Sequence, residues 1–242
     1  MDVEKIDTSS CVLMWDCSQL LGLIAAGLCK NPLEHMKNII MFAGTHKTFP
    51  GPASGLIMTN EKSLHDKMEM TINPKYLQMH QKISLLFALV EFEKYGVEYM
   101  THMVHCSNYL GKKLEEKGYH IVKTGDQISY THQIFIECDQ DTMNRIYDNA
   151  YRCEVTLNKK TKNLFHGFGI RLGTQEIARY NWNDDALDLV AEIIKMLAVE
   201  DLDIGKVMEL KKKLPNKEIY YTFPQKEILP FLKENEKKNY SI

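Results

Sequence analysis

The segment from Ile39 to Asn60 constrains the fold of this chain most, because it places one lysine between two apolar runs. The runs Ile39–Ala43 and Gly55–Met58 have the length and the flanking turn residues that are typical of buried β-strands. Lys47 lies in the polar loop between them, where prolines and glycines set the path of the backbone. Most loop lysines are simply solvated. Two buried strands joined by such a loop nevertheless make Lys47 a candidate site residue.

Composition narrows the class of protein. The chain has 242 residues and 44% hydrophobic content, which is enough for one large domain or two small ones. Its formal net charge of −2 gives no indication of a surface that binds nucleic acid or a membrane. Its six cysteines lack CxxC spacing, which is typical of free thiols in a reducing compartment and predicts no metal site. The polar N-terminus is no signal peptide, and no apolar run approaches the length of a membrane helix. We therefore expect a cytoplasmic protein.

Residues 1–75 have an α/β pattern. The apolar run Cys11–Trp15 predicts a parallel strand that ends at Asp16, on the edge where open α/β sheets bind ligands. A short helical stretch follows Ser18, and a further helix is predicted at Glu61–Met70. Only three strands are visible here, whereas a parallel sheet covered on both faces usually has more. This region thus resembles the later part of a larger sheet.

Residues 76–118 carry two helical patterns. Leu77–Tyr95 and Val97–Lys117 each have an apolar stripe of helical period, and Gly96 separates them. We predict two long helices that bridge the α/β part to the rest of the chain.

Residues 119–242 have an α+β pattern that predicts a smaller second domain with a helical tail. The predicted strands are Tyr119–Lys123, Gln133–Glu137, Glu154–Leu157 and Gly169–Leu172, and the predicted helices are Asp139–Ala150, Asn183–Val199, Asp203–Lys213 and a short piece near Glu227–Leu232.

Three motifs in order, WDCSQLLGLIAAG, GTHKTFPGPASGLI and GIRLGT, resemble serine hydroxymethyltransferase and its relatives. These are pyridoxal 5'-phosphate enzymes of the aspartate-aminotransferase fold. The resemblance extends from about Cys11 to Val199 and implies part of a large-domain sheet followed by a smaller α+β domain.

The resemblance assigns roles to three residues. Lys47 matches the lysine that forms a Schiff base with pyridoxal phosphate, which requires a nucleophilic amine. Asp16 matches the acid that pairs with the pyridine nitrogen and keeps it protonated. Arg171 matches the arginine that holds the substrate carboxylate, a task that suits the fixed fork of a guanidinium. The alternatives are a solvated lysine, an aspartate that caps a helix and a surface arginine.

Three further residues have less definite roles. Thr45 and His46 flank the lysine, and the resemblance implies that they help to organise the cofactor and the substrate. His46 is equally consistent with a proton-transfer residue and with a packed, hydrogen-bonded histidine. Gln19 stands where the family has a histidine close to the cofactor ring; it can hydrogen-bond the cofactor but cannot carry a proton.

The chain departs from the family at two other places. The glycine-rich phosphate contact is absent before the long helix, where the sequence reads LQMHQK; His80, Gln81 or the start of that helix is a possible replacement. The loop Asn158–Phe168 is short where the folate-dependent enzymes make part of their folate contact. Tetrahydrofolate use is therefore doubtful.

The family's N-terminal half, with its phosphate-binding loop and a catalytic glutamate, has no counterpart here. We therefore expect a split enzyme in which a separate N-terminal-half subunit completes the site, with two such pairs forming the active unit. The expected reaction is aldol or retro-aldol chemistry on a β-hydroxy-α-amino acid, by hydroxymethyl transfer or as in transaldolases and threonine aldolases. Alternatives are an aminotransferase, a decarboxylase and a non-catalytic regulatory subunit.

Overall fold

A computed structural model of the chain describes residues 5–72, 78–123, 125–162 and 167–224. The strands are β1 (Leu13–Asp16), β2 (Ile39–Gly44), β3 (Gly55–Met58), β4 (His120–Ile121), β5 (Gln133–Glu137), β6 (Asn158–Lys162) and β7 (Gly167–Gly173). The α-helices are α1 (Leu21–Ala25), α2 (Lys62–Thr71), α3 (Met79–Glu116), α4 (Gln140–Arg152), α5 (Gln175–Arg179), α6 (Asp184–Leu197) and α7 (Ile204–Lys212). The helix predicted near Glu227–Leu232 lies outside the described residues.

The first sheet has three strands in the order β1-β2-β3, with β1 parallel and β3 antiparallel to β2. Its two faces differ because side chains alternate along each strand. Ile39, Met41 and Ala43 of β2 are buried in a hydrophobic cluster with α1 and α3. The opposite face carries Met14 and Ile57, which are largely exposed.

The long helix α3 corrects the prediction of two helices separated by Gly96, because it runs unbroken from Met79 to Glu116. A glycine inside a helix costs only about 0.5–1 kcal/mol, which packing offsets. Gly96 is buried, and a Cβ there would lie 2.6 Å from the Phe92 ring. The position thus needs a residue without a side chain and does not end the helix.

The two halves of α3 differ in how far their apolar stripes are buried. In the C-terminal half the predicted stripe is buried, with Met100, Met103 and Leu114 fully covered. In the N-terminal half, Ile83 and Leu86 of the other stripe are about half exposed.

The second sheet has four strands in the order β4-β5-β7-β6, all antiparallel to their neighbours. Its inner face is a core of Ile134, Ile136 and Ile170, which are fully buried in one cluster with α4 and α6. Asp139 caps α4 by accepting a hydrogen bond from the Thr142 amide at 2.8 Å, as predicted.

The strand β6 lies later in the chain than predicted. The apolar segment Glu154–Leu157 is not a strand; the polar run Asn158–Lys162 is, and it pairs with β7 at the edge of the sheet. An edge strand tolerates lysines on its exposed side, so the apolar pattern selected the wrong segment. Within the loop predicted at Asn158–Phe168, the described residues 158–162 and 167–168 are therefore paired strands.

Helix α3 connects the two sheets. Thr174, which directly follows β7, bonds to this helix from the second sheet. The buried Thr174 hydroxyl bonds to the Met103 carbonyl of α3 at 3.1 Å and to the His132 carbonyl at 3.2 Å. Arg179 forms a half-buried ion pair with Glu91 of α3 at 2.8 Å. These bonds fix the position of the second sheet relative to the first.

Within the described ranges, no helix combines the length and hydropathy that spanning a bilayer requires. The same residues contain no group of three or more His, Cys, Asp or Glu side chains that could hold a metal ion.

Candidate active site

The loop that carries Lys47 is closed on itself by Thr45. The Thr45 amide donates to the Ser54 carbonyl at 3.0 Å, and its hydroxyl donates to the Pro52 carbonyl at 2.6 Å. The Thr45 carbonyl accepts from the Gly51 amide at 2.7 Å. Because the side chain is fully buried, its hydroxyl serves the loop in this structure. The cofactor contact predicted for Thr45 stays a prediction.

The residues that follow Lys47 tie the loop to the core. The buried Thr48 hydroxyl accepts from the Gly22 amide of α1 at 3.1 Å. A Cβ at Gly22 would lie 2.8 Å from the Thr48 carbonyl, so only glycine allows this approach. Phe49 is buried against Phe92 of α3, with ring centroids 4.9 Å apart. Lys47 is therefore presented from a loop that is held on both sides.

Asp16 ends β1 beside this loop. Its carboxylate accepts hydrogen bonds from the Ser18 hydroxyl at 2.5 Å and the Ser18 amide at 2.9 Å. The Ser18 hydroxyl also accepts from the Gly44 amide at 2.9 Å, which joins the ends of β1 and β2. The hydrogen bonds from Ser18, and to a smaller extent the charge of Lys47, lower the pKa of Asp16. The carboxylate is thus ionised and within electrostatic reach of the Lys47 amine.

A cavity of about 340 Å³ lies between the first sheet and the second. Lys47, His46 and Gln19 line it from one side, and Arg171 lines it from the other. The structure therefore brings four of the six predicted site residues to one cavity. Thr45 and Asp16 are not among its lining residues, and Asp16 is linked to it through Lys47.

Arg171 reaches the cavity from the middle of β7. It lies opposite Phe135 of β5 and Asn158 of β6 in the ladders, and Gln133 lies opposite Gly173. Directly opposed residues share a sheet face, so the Gln133 and Asn158 amides accompany the guanidinium. Both line the cavity and were missed in the sequence. The alternation of side chains between the two faces of β5 was a sequence signal for Gln133. Asn158 had no such signal, because the sequence predicted a loop there.

Two further cavity residues carry buried polar atoms without hydrogen-bond partners among the described residues. These are Nδ1 of His132 and Oε1 of Gln175. His132 is only 3% exposed. Burial and, second, the nearby charge of Arg171 lower the pKa of His132 to about 4. Its imidazole is therefore neutral at neutral pH.

The residues suggested for a phosphate contact lie elsewhere. His80 and Gln81 are in the first turn of α3 and do not line the cavity. Gln81 instead caps the helix, because its side-chain oxygen accepts from the Gln78 amide at 3.3 Å. A phosphate contact from these residues stays a prediction without support from the cavity.

Comparisons with known proteins show which family this chain resembles. Residues 3–194 match the family model described as serine hydroxymethyltransferase. Serine hydroxymethyltransferase of Sulfolobus acidocaldarius is 29% identical over 230 residues, which cover 87% of this chain and 51% of that protein. The enzyme of Methanocella arvoryzae is 29% identical over 218 residues, which cover 84% of this chain and 50% of that protein. The chain thus spans about half the length of the curated relatives that it matches.

A solved structure shares the fold. The crystal structure of L-threonine transaldolase from Pseudomonas fluorescens aligns with a TM-score of 0.80 at 23% sequence identity, covering 96% of this chain and 56% of that one. The predicted α/β fold class, with a partial large-domain sheet followed by an α+β part, is confirmed. Because the family model matches more than half of the residues, this chain belongs to the serine hydroxymethyltransferase family.

Proposed function

We propose that this chain supplies one half of the active site of a pyridoxal-phosphate enzyme that performs aldol and retro-aldol chemistry on a β-hydroxy-α-amino acid. One observation carries the proposal: Lys47, on the loop between β2 and β3, and Arg171, on β7 of the second sheet, line the same cavity. An amine and a guanidinium on opposite walls suit a substrate that is an amino acid bound next to a carbonyl cofactor. Family membership supports the same chemistry.

The size of the cavity and the chemistry around it support binding of the cofactor. Its volume of about 340 Å³ lies within the range of roughly 300–1,000 Å³ that is usual for small-molecule sites. The ionised Asp16 beside Lys47 suits a protonated ring nitrogen. The unpartnered atoms of His132 and Gln175 offer additional polar contacts to a ligand.

Each residue then has a defined task. Lys47 would hold the cofactor through its amine, and Asp16 would keep the proton on the ring nitrogen. Arg171 would bind the substrate carboxylate through two parallel hydrogen bonds. When bound, pyridoxal phosphate supplies an electron sink for bond cleavage at the substrate α-carbon.

His46 and Gln19 complete the wall around the lysine. His46 is exposed and lines the cavity next to Lys47, which supports a role in proton transfer. Gln19 lines the same wall and offers an amide that hydrogen-bonds without changing charge. Tetrahydrofolate is not needed for an aldehyde acceptor, and its use stays doubtful.

The exposed apolar face of the first sheet is an argument for a partner subunit. A groove of about 930 Å³ runs along this face, with Met14, Phe42 and Ile57 on its floor and Leu64 and Met68 of α2 on its side. Met14 is 66% exposed and Ile57 is 50% exposed. Apolar patches of this kind usually mark an interface.

We assign this groove to a polypeptide that resembles the first half of the relatives, because the chain matches only about half of their length. Among the described residues β1 and β3 are the edges of the sheet, so such a partner is able to extend the sheet as well as cover its face. Two such pairs would form the active unit. The complex is expected in the cytoplasm.

The cofactor assignment is tested by reduction and peptide mapping. We expect sodium borohydride, added to the complex with pyridoxal phosphate, to fix the phosphopyridoxyl group on Lys47. Lys62, with a side chain that is 87% exposed on α2, is the matched control. A Lys47→Ala complex that is fully active, or a label on Lys62 alone, would favour a regulatory subunit instead.

The reaction is tested with L-threonine. We expect the complex to release an aldehyde from this substrate. A pyridoxamine product without any released aldehyde would contradict aldol chemistry and favour an aminotransferase.

The partner is tested by co-expression of this chain with a polypeptide that resembles the first half of the family, followed by size-exclusion chromatography. We expect Ile57→Lys to weaken the complex at least about tenfold, because it buries a charge in the groove. Met70→Lys is the matched control, since Met70 is 89% exposed on α2 and does not line the groove. Equal binding by both variants would exclude this face as the interface.

A further inference from the structure

His132 stands out among the cavity residues because it combines deep burial with an unused polar atom. The side chain lines the cavity and is 3% exposed. Its Nδ1 has no hydrogen-bond partner among the described residues. A buried polar group left in this way costs about 1–3 kcal/mol, so an unpartnered group is expected where a ligand provides the missing bond.

The backbone of His132 is firmly placed. Its carbonyl accepts hydrogen bonds from both the amide and the hydroxyl of Thr174, at 2.9 and 3.2 Å. Thr174 follows the strand that carries Arg171 and is itself bonded to α3. The backbone of His132 is therefore held next to the strand that carries Arg171, and burial leaves its imidazole little room to turn. A preorganised group of this kind costs little to use when a ligand binds.

The charge state of the ring suits a donor role. The positive charge of Arg171 and the burial of the ring both favour the neutral imidazole. A neutral imidazole has one N–H donor and one acceptor nitrogen. A second positive charge would repel Arg171 in this cavity, whereas a neutral N–H adds a hydrogen bond to a carboxylate without that repulsion.

We propose that His132 is a second carboxylate-binding residue, which donates a hydrogen bond from Nδ1 to the same substrate carboxylate that Arg171 binds. This inference rests on the proposed function, because it requires an amino-acid substrate in the cavity. The ligand class is an α-amino acid with a free carboxylate. Arg171 supplies the charge and His132 fixes the orientation of the group.

Affinity measurements on the assembled complex test the inference without relying on turnover. We compare the binding of L-threonine with that of L-threoninamide, which lacks the carboxylate, by isothermal titration calorimetry. His132→Leu is expected to weaken L-threonine binding about tenfold and to leave threoninamide binding unchanged. His132→Asn, which keeps an N–H near the position of Nδ1, is expected to bind L-threonine within about threefold of the original chain.

A structural role for His132 predicts a different pattern. If His132→Leu weakens both ligands equally, or neither, the inference is overturned. Because Leu replaces a buried ring whose Nδ1 lacks a partner, we expect the melting temperature of the free chain to be unchanged or higher. A lower melting temperature together with equal loss of both ligands would identify His132 as a packing residue.

Arg171→Ala separates this inference from the proposed function. If Arg171→Ala abolishes the preference for threonine over threoninamide and His132→Leu does not change it, the proposed function stands and the role of His132 falls. If Arg171→Ala leaves the preference intact, the carboxylate site is elsewhere and both proposals are overturned.

Discussion

The two sheets of this chain bury their apolar residues to very different extents. The second sheet covers its inner face with α4 and α6 and leaves Ile134, Ile136 and Ile170 fully buried. The first sheet buries one face and leaves the other as an apolar groove. The comparison teaches that the second sheet is covered on its inner face by the chain's own helices, whereas the first sheet keeps an exposed apolar face.

The largest expected effect contrasts two isoleucines on strands. Ile136→Ala should lower the free energy of unfolding by about 2–5 kcal/mol, because Ile136 is fully buried in the second sheet. Ile57→Ala should change it by less than about 0.5 kcal/mol, because Ile57 is half exposed. Urea denaturation of the isolated chain measures both. Similar losses at the two positions would mean that the first sheet is already covered in the free chain.

His132 is expected to make the free energy of unfolding depend on pH, by an amount similar to the loss at Ile136. Its pKa is lowered to about 4 in the folded chain, so the unfolded state binds the proton more readily. The stabilising contribution is complete above the unfolded pKa of about 6.5 and falls as the pH decreases towards 4, by roughly 3 kcal/mol in total. His132→Leu should remove this part of the acid sensitivity. Identical pH profiles for the two chains would show that folding does not lower the pKa of His132.

A smaller effect is expected from the ion pair that joins the two units. Glu91 binds Arg179 at 2.8 Å and also accepts a hydrogen bond from the Thr222 hydroxyl. Glu91→Gln should cost about 1–3 kcal/mol, because the half-buried guanidinium of Arg179 loses its charge partner. Glu200→Gln is the matched control, since Glu200 is 84% exposed in its ion pair with Arg145. If both substitutions lower the free energy of unfolding equally, the Glu91–Arg179 ion pair contributes no more than an exposed ion pair.

The smallest effect is expected from Asp16. Hydrogen bonds from Ser18 lower its pKa in the folded chain, so its contribution is present above the unfolded pKa and is lost as the pH falls through the lower, folded pKa. The group is exposed, so solvent screens its interactions and the effect is small. Asp16→Asn should flatten the stability profile slightly below about pH 4. A steeper profile in Asp16→Asn would contradict this sign.

Sequence reasoning succeeded where one local signal decided the structure. The strands β2 and β5 and the capped start of α4 follow from apolar runs, alternation and a capping aspartate. It failed where tertiary context overrides a local signal. Gly96 reads as a helix end but is needed for close packing on Phe92, and β6 is a polar segment that becomes a strand only by pairing with β7.

The candidate site likewise contains residues that the sequence predicted and residues that only the folded structure reveals. Lys47 and Arg171 were predicted because the motifs around them resemble those of the family. The motifs gave no sign of His132, whose burial and unpartnered nitrogen arise only when the chain folds.

The sequence by itself determined the family of this chain and predicted the residues of its candidate site, since both depend on residue types at fixed spacing. Only the tertiary structure decided that Lys47 and Arg171 share one cavity, because 123 residues of intervening chain separate them and α3 sets their relative position. It also decided which sheet face stays open. Exposure depends on what packs against a strand, and the strand's own alternation cannot specify that.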